Sequence, residues 1–301
     1  MSFANKFMDL LRDPPPEFAF EISPDGIGMS RTRPPAAIQH APLKPGVIVP
    51  SPVKENIHDA AAFAAAVRSL MPPSSGRGKR GVAVILPDNC VRIAVLDFDT
   101  LPEKEEELRP LINFRLKKSV PFDIDEAALS YFAQGGSVTN RKVVVAVTPS
   151  EIIAHYEAPF RAAGLYPGFV TVSSLATIDL LPLTGSIMFA RRSPGALTVL
   201  ALANGAVSIA RTIDIGDLEN TDHLEEAVAA LYPTLAWIED QTGGRPEKLF
   251  LAGFGDEAES SSVRLSVELE IEVDVLAHPF PGLAGYLASL APKSVPRKAA
   301  A

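Results

Sequence analysis

The sequence predicts an α/β fold with two lobes, and three observations lead to this prediction. The chain has 301 residues, which corresponds to about two domains at roughly 100–200 residues each. Hydrophobic residues make up 47% of the chain and charged residues 21%, so the chain can build a sizeable core. Each half opens with predicted strand hairpins and ends with predicted helices, which is typical of a duplicated architecture.

The charge balance and the cysteine content exclude several classes of protein. Acidic residues outnumber basic residues by 36 to 28, and the net charge is −8, which argues against general binding to nucleic acid. The single cysteine, Cys90, rules out an internal disulfide or a cysteine-rich zinc cluster and favours a reducing compartment. The sequence shows neither a membrane-spanning run nor a secretory signal. We therefore expect a cytoplasmic protein.

The two ends of the chain are predicted to lie outside the core. Residues 1–16 form a flexible segment that ends in three prolines, and residues 292–301 form a disordered tail. Within the first segment, residues 2–12 place Phe3, Phe7 and Leu10 on one side of a short amphipathic helix. Two interpretations stay open for this helix: contact with a partner or a membrane surface, or a frayed terminus.

Strand hairpins are predicted at the start of the first half. Phe18–Ile22 and Ile27–Thr32 alternate around the turn Ser23–Gly26, and we expect them to pair. The strand Val82–Leu86 is followed by a proline-containing turn and the strand-like run Val91–Phe98. These two runs predict a second hairpin.

Further helices and strands are predicted up to Leu290. Asn56 is predicted to begin a helix, because apolar residues recur at helical spacing from Ile57 to Met71. The acidic run 103–107 is favoured in the first turn of a helix by the helix dipole. The pair Asn204-Gly205 predicts a type I′ hairpin turn. The other predicted elements are strands at Leu129–Ala133, Val143–Val147, Ile187–Ala190, Leu197–Ala203, Val207–Ile213, Leu249–Ala252 and Ile271–Leu276, and helices at Glu151–Ala163, Asp222–Thr242 and Leu283–Leu290.

The chain contains a series of short motifs: Val82–Asp88, Leu101-Pro102-Glu103, Pro121-Phe122, Tyr131, Val143–Val147, Ala162–Leu165 and Ala210–Ile213. This series resembles the PilM family of type IV pilus assembly proteins, over about residues 17–282. The resemblance implies an actin-like fold, related to FtsA and GspL, with a strand-helix-strand-strand subdomain inserted in the first lobe. It implies a first lobe of residues 17–91 and 164–184, an inserted subdomain of residues 92–163, and a second lobe of residues 185–291.

Members of this family can bind ATP between the lobes through two phosphate loops and a glycine-rich adenosine loop. In the first phosphate loop, the family has a motif similar to Asp-Ile-Gly-Ser-Ser. This chain has Glu21–Asp25 there, and Pro24 removes a backbone donor. The second loop is expected at Arg191-Arg192-Ser193, where arginine reverses the charge that magnesium requires. We therefore expect a degenerate cleft with no catalytic residue, no metal, and ATP with magnesium disfavoured. The candidate nucleotide-binding residues are Glu21, Ser23, Asp25, Gly26, Arg191, Ser193, Gly253, Phe254 and Gly255.

The resemblance also implies a protein partner. In the family, the cytoplasmic N-terminal tail of a PilN-like bitopic inner-membrane protein lies in a groove between the core of the first lobe and its inserted subdomain. The candidate lining residues are Leu86, Arg92, Ile93, Phe114 and Phe122. This implies a non-catalytic scaffold, peripheral at the inner face of the bacterial inner membrane, in a type IV pilus or type II secretion platform. The resemblance leaves a homo-oligomer open.

Two other functions stay open on the sequence alone. An actin-like ATPase or kinase would hold its nucleotide with Glu21, Asp25 and Gly253. An oxidoreductase would use Gly253–Ala258, which fits the dinucleotide fingerprint, with Asp274 about 20 residues further on. A tight strand-to-helix turn explains the same glycines. The five histidines are scattered without ligand spacing, so no metal is expected.

Overall fold

The computed structural model describes residues 15–72, 80–102, 104–135, 139–215 and 223–291. The predicted helix within residues 2–12 and the predicted tail 292–301 lie outside these residues. The strands are β1 (Phe18–Ser23), β2 (Gly26–Arg31), β3 (Gln39–Pro42), β4 (Arg80–Leu86), β5 (Arg92–Thr100), β6 (Ala127–Ala133), β7 (Thr139–Pro149), β8 (Leu165–Val172), β9 (Ser186–Ser193), β10 (Ala196–Ala203), β11 (Ala206–Asp214), β12 (Lys248–Ala252) and β13 (Glu272–Val275). The helices are α1 (Ala60–Leu70), α2 (Glu105–Leu116), α3 (Ser150–Ala162), α4 (Ser173–Thr177), α5 (His223–Thr242), α6 (Ala258–Leu269) and α7 (Pro281–Ser289).

Two five-stranded sheets have the same strand order. The first runs β3-β2-β1-β4-β8 and the second runs β11-β10-β9-β12-β13. In the first sheet, β1, β2 and β3 pair antiparallel, β4 pairs parallel to β1, and β8 pairs parallel to β4. In the second sheet, β9, β10 and β11 pair antiparallel, β12 pairs parallel to β9, and β13 pairs parallel to β12. The duplicated architecture that the sequence predicts is therefore confirmed, with one sheet at the centre of each lobe.

A third sheet lies between β4 and β8 in the sequence. It has the order β5-β7-β6, and both of its pairings are antiparallel. Helix α2 covers one face, where Ile112 and Leu116 pack against Val143 and Val145 in a separate hydrophobic cluster. We call this unit the insert.

The predicted hairpin between Val82–Leu86 and Val91–Phe98 is wrong. Strand β4 pairs with β1 and β8, whereas β5 pairs with β7 in the insert. A 3₁₀ turn at Asp88–Cys90 separates the two strands. Because the Asp88 carboxylate is buried and accepts hydrogen bonds from Ser174, this turn is held against the first sheet while the chain leaves it.

Helix α1 begins later than the sequence predicts. Asp59 is the N-cap, and its side chain accepts a hydrogen bond from the amide of Ala62. Asn56 is buried instead, where its amide group donates to two backbone carbonyls and its oxygen accepts from Tyr156. A buried side chain that satisfies a loop cannot also cap the helix, so the start moves by one turn.

Helices α3 and α7 both pack on the first sheet. In α3, Tyr156 and Phe160 lie edge-on to Phe63 of α1. In α7, Leu283 and Tyr286 join the cluster that contains Ala19, Ala83 and Ile85. The predicted insert, 92–163, includes α3, and the predicted second lobe, 185–291, includes α7, whereas both helices pack on the first sheet. The chain thus returns to its first lobe in α7.

Candidate functional site

Hairpin turns lie at corresponding positions of the two sheets. Pro24-Asp25 joins β1 to β2, and Pro194-Gly195 joins β9 to β10. In both, the preceding serine donates to the carbonyl three residues on, Ser23 at 3.0 Å and Ser193 at 3.4 Å. Gly195 has φ +74°, which suits the third position of a type II turn. Each turn therefore contains a proline without an N–H.

Arg191, from the end of β9, lies between two carboxylates of the first lobe. Its Nη2 is 3.3 Å from Oε1 of Glu21, and its Nη1 is 3.2 Å from Oδ2 of Asp88. Arg191 is 6% exposed, and both carboxylates are fully buried. This triad of one guanidinium and two carboxylates joins the lobes at the base of the cleft. Sequence reasoning identified Glu21 and Arg191 as site residues but missed Asp88.

Neighbouring groups complete the shell around the triad. The Ser174 amide donates to Oδ1 of Asp88 at 2.8 Å, and its hydroxyl donates to Oδ2 at 2.6 Å. The Leu283 amide donates to Oε2 of Glu21 at 2.7 Å, and the Ser173 hydroxyl donates to Oε1. Burial raises the pKa of Glu21, and Arg191 opposes this rise. Sequence reasoning missed both serines because it predicted no element between 165 and 177.

A cavity of about 580 Å³ lies beside the triad. Its walls include the loop Gly253-Phe254-Gly255, together with Asp25 and His278. Gly253 has φ +80°, and a Cβ there would lie 2.0 Å from the carbonyl oxygen of Arg192, so glycine alone fits this contact. The predicted adenosine-loop glycines therefore do border the cleft.

Asp274 is not among the residues that line this cavity. Its carboxylate accepts from Lys248 Nζ at 2.8 Å on the outer strands of the second sheet. The second sheet is also mixed, with β10 antiparallel to both of its neighbours, whereas the dinucleotide fingerprint belongs to a doubly wound parallel sheet. The glycines are thus part of a tight strand-to-helix turn, and the oxidoreductase alternative loses its structural basis.

A second concave region lies between the first sheet and the insert. A groove of about 280 Å³ runs between the edge strands β6 and β8. In the described residues, β6 pairs with β7 and β8 pairs with β4, so one edge of each strand has no strand neighbour. The lining residues are Leu86, Val91, Ala128, Leu129, Ser130, Ala146, Thr148, Ile153, Phe169, Val170, Thr171, Val172 and Leu175.

The structure brings one of the five predicted partner-binding residues, Leu86, to this groove. Arg92 and Ile93 lie on β5, across β7 from β6. Phe122 packs against the core of the insert. Phe114 is 78% exposed and borders a separate concavity of about 1160 Å³ on the outer side of α2. Sequence reasoning missed the β8 side because Pro167 and Gly168 obscure the strand pattern.

Comparison with solved structures identifies the architecture. The chain superposes on a PilM-PilN type IV pilus biogenesis complex with a TM-score of 0.72 and 16% identity, over 93% of this chain and 100% of the other. A Bacteroides thetaiotaomicron protein with an actin-like ATPase fold and unknown function matches with a TM-score of 0.53 and 12% identity, over 90% and 94% of the two chains. The fold is actin-like. The structural resemblance to PilM that the sequence predicts is confirmed.

A component of a secretion system has a similar structure. The cytoplasmic domain of EpsL, an inner-membrane component of the type II secretion system of Vibrio cholerae, matches with a TM-score of 0.53 and 10% identity, over 91% of this chain and 93% of the other. No protein-family model matches the sequence, and no curated protein does.

The part of the chain that the structure describes contains neither a candidate membrane span nor a cluster of metal ligands. There, no helix combines the length and apolar character needed to cross a bilayer. Within the same residues, histidine, cysteine and acidic side chains form no cluster of three or more that could hold a metal ion.

Proposed function

We propose that this protein is a non-catalytic scaffold that holds the tail of a membrane protein in the groove between β6 and β8. The observation that carries the proposal is the pair of strand edges that face this groove. Such edges offer backbone donors and acceptors to an added strand, and side-chain pockets then give specificity. The similarity to the PilM-PilN complex supports this assignment.

The chemistry of the groove favours an extended, largely apolar peptide. Every described residue that lines it is uncharged, and Leu86, Leu129 and Leu175 supply aliphatic surface. The equivalent outer strand of the second sheet, β13, instead carries Glu272 and Asp274. Charges on an edge strand oppose pairing with another chain, so the first sheet is the better acceptor. The partner that we propose is the cytoplasmic N-terminal tail of a PilN-like bitopic protein.

This partner determines the proposed location and assembly. A scaffold that holds such a tail lies at the inner face of the bacterial inner membrane, as part of a type IV pilus or type II secretion platform. The similarity to the PilM-PilN complex supports the first system, and the similarity to the cytoplasmic domain of EpsL supports the second.

The groove is tested with a fluorescent peptide of the cytoplasmic N-terminal tail of a PilN-like bitopic protein from the same organism. Ala128→Trp places a bulky ring in the groove, and we expect the Kd for the peptide to rise at least about tenfold. Ala65→Trp, on the exposed side of α1, is the matched control and keeps the wild-type Kd. Phe114→Ala separates this groove from the concavity on α2. A wild-type Kd for Ala128→Trp, or loss with Phe114→Ala alone, would overturn the proposal.

The cleft supports the non-catalytic part of the proposal. A hydrated magnesium ion needs carboxylate oxygens, and nucleotide phosphates need free backbone N–H groups. Here the guanidinium of Arg191 already lies between Glu21 and Asp88, and Pro24 and Pro194 lack the N–H in both hairpin turns. These residues do not fit magnesium with ATP.

An ATPase or kinase is the second candidate, favoured by the glycine-bordered cavity of about 580 Å³. Calorimetry of the full chain with a non-hydrolysable ATP analogue and magnesium separates the two functions. The scaffold proposal predicts no binding heat up to about 1 mM nucleotide. A micromolar Kd would reject the degenerate cleft.

A further inference from the structure

Among the residues that the structure describes, five arginines lie at the end of the first lobe that is remote from the cleft. At this end β1, β4 and β8 begin and β2 ends. Arg31, Arg33 and Arg80 occupy these strand ends and the loop that follows β2, and Arg68 and Arg161 lie in the last turns of α1 and α3. We call these five residues the basic edge.

The basic edge keeps an excess of positive charge after its ion pairs are counted. Arg80 pairs with Glu17 at 3.6 Å, and Arg161 pairs with Glu157 at 2.6 Å. Arg31, Arg33 and Arg68 are exposed. The rest of the protein must then be strongly acidic, since the net charge of the chain is −8. A local positive surface on an acidic protein attracts anions without making the whole molecule basic.

Both ends of the described chain reach this edge. The Glu17 amide donates to the carbonyl oxygen of Gly81 at the start of β4. The first turn of helix α7 lies beside Glu21, near the cleft, where the Leu283 amide donates to the Glu21 carboxylate. The last residues of α7 pack beside Ala19, near the start of β1. The described chain therefore begins and ends beside the basic edge.

The terminal sequences match this edge in character. The sequence after Ala291 contains Lys293, Arg297 and Lys298 and no acidic side chain. The sequence before Pro15 contains Phe3, Phe7, Leu10 and Leu11 at helical spacing. Basic groups beside an amphipathic apolar segment are the combination that binds the surface of an anionic bilayer.

We propose that the basic edge docks this protein directly on a membrane surface by binding anionic lipid headgroups. The arginines supply electrostatic attraction, and guanidinium groups make paired hydrogen bonds to phosphate. Nucleic acid would use the same charges but has no use for the apolar side chains of the N-terminal sequence, so lipid is the better match. The proposal goes beyond the groove, because the arginines lie at the opposite end of β8 from most of its lining.

The proposal is tested by sedimentation of the full chain with vesicles. The probes are vesicles of phosphatidylcholine alone and of phosphatidylcholine with about 30% phosphatidylglycerol. We expect binding to the anionic vesicles alone, weakened by salt. In the Arg33→Glu/Arg68→Glu double variant, the partition coefficient is expected to fall at least about tenfold.

A control with the same change in net charge isolates the basic edge. Lys44→Glu/Lys54→Glu changes two exposed lysines at the cleft end of the same lobe and is expected to stay within about threefold of the wild type. If the glutamate double variant does not fold, Arg33→Gln/Arg68→Gln is compared with Lys44→Gln/Lys54→Gln, which has the same change in net charge. Equal losses in both pairs, equal binding to neutral vesicles, or tighter binding to a DNA duplex than to anionic vesicles would each overturn the proposal.

Discussion

The two five-stranded sheets share a strand order and a Ser-Pro hairpin turn, but they place opposite charges in the cleft. Glu21 of β1 lies opposite Ile85 near the end of β4, and Arg191 of β9 lies opposite Ala252 at the end of β12. These are corresponding places in the two sheets, and the two side chains meet as an ion pair. A duplicated fold can therefore join its halves through the positions that, in the resembled family, would hold magnesium and phosphate.

The outer strands differ as well. On one side, β8 borders the uncharged groove whereas β13 carries acidic residues. On the other side, β11 has nine residues and is contacted by the insert through Gln134, whereas β3 has four residues and ends in Pro42. Each difference assigns a role to one sheet.

Removing the charge of Arg191 is expected to have the largest effect. Arg191→Met leaves Glu21 and Asp88 buried without a cation, and the free energy of unfolding is expected to fall by about 3–5 kcal/mol. Arg192→Met is the control, because Arg192 pairs with Glu257, whose side chain is 62% exposed, and a loss of less than about 1 kcal/mol is expected. Urea unfolding measures both. Similar losses in the two variants would mean that the triad does not join the lobes.

The contact between the insert and β11 is tested next. The Gln134 amide donates to the Val207 carbonyl at 2.7 Å and accepts from the Val207 amide at 2.6 Å. Gln134→Ala leaves two buried backbone groups unpaired, so a loss of about 1–3 kcal/mol is expected in urea unfolding. Gln39→Ala, on an exposed position of β3, should change stability by less than about 0.5 kcal/mol. A neutral Gln134→Ala would contradict this role.

The hairpin turns provide a smaller test. Gly195 has φ +74° with open space around it, so Gly195→Ala is expected to cost about 1–2 kcal/mol through the backbone alone. Asp25, the corresponding residue of the first sheet, is not among the residues with positive φ, and Asp25→Ala should change thermal stability by less than about 0.5 kcal/mol. Equal melting temperatures for the two variants would show that the turns have the same backbone conformation.

The smallest effect concerns pH. Burial raises the pKa of Glu21 above its usual value of 4.5. At a pH between the usual pKa of 4.5 and the raised pKa in the folded chain, the folded chain holds a proton on Glu21 that the unfolded chain has released. The contribution of Glu21 to stability therefore falls as pH rises from 4.5 to the raised pKa. Glu21→Gln removes this contribution, and its urea midpoint should decline less steeply than that of the wild type from pH 4.5 upward. If the urea midpoints of the two proteins changed in parallel with pH, the pKa of Glu21 would be the same in the folded and the unfolded chain.

Local patterns predicted most of the second lobe. Asn204-Gly205 predicted the hairpin of β10 and β11, and positive φ values at both residues, +48° and +76°, are what a type I′ turn requires. The first lobe was harder, because β4 and β5 look like a hairpin in sequence but enter different sheets. Proximity along the chain favours pairing of β4 with β5. Instead, the turn between them is held by the buried Asp88 carboxylate, which accepts hydrogen bonds from Ser174, and β5 pairs with β7.

Local sequence patterns predict the two-lobed α/β class, the two proline-containing turns and the arginine where the resembled family has an acid. Periodicity and turn chemistry are local, so these features can be read from neighbouring residues. The folded structure is needed to show that Arg191 meets Glu21 and Asp88, that β6 and β8 border one groove, and that five of the described arginines share one end of the first lobe. These depend on contacts between residues far apart in the chain, and no local pattern records which distant partners will meet.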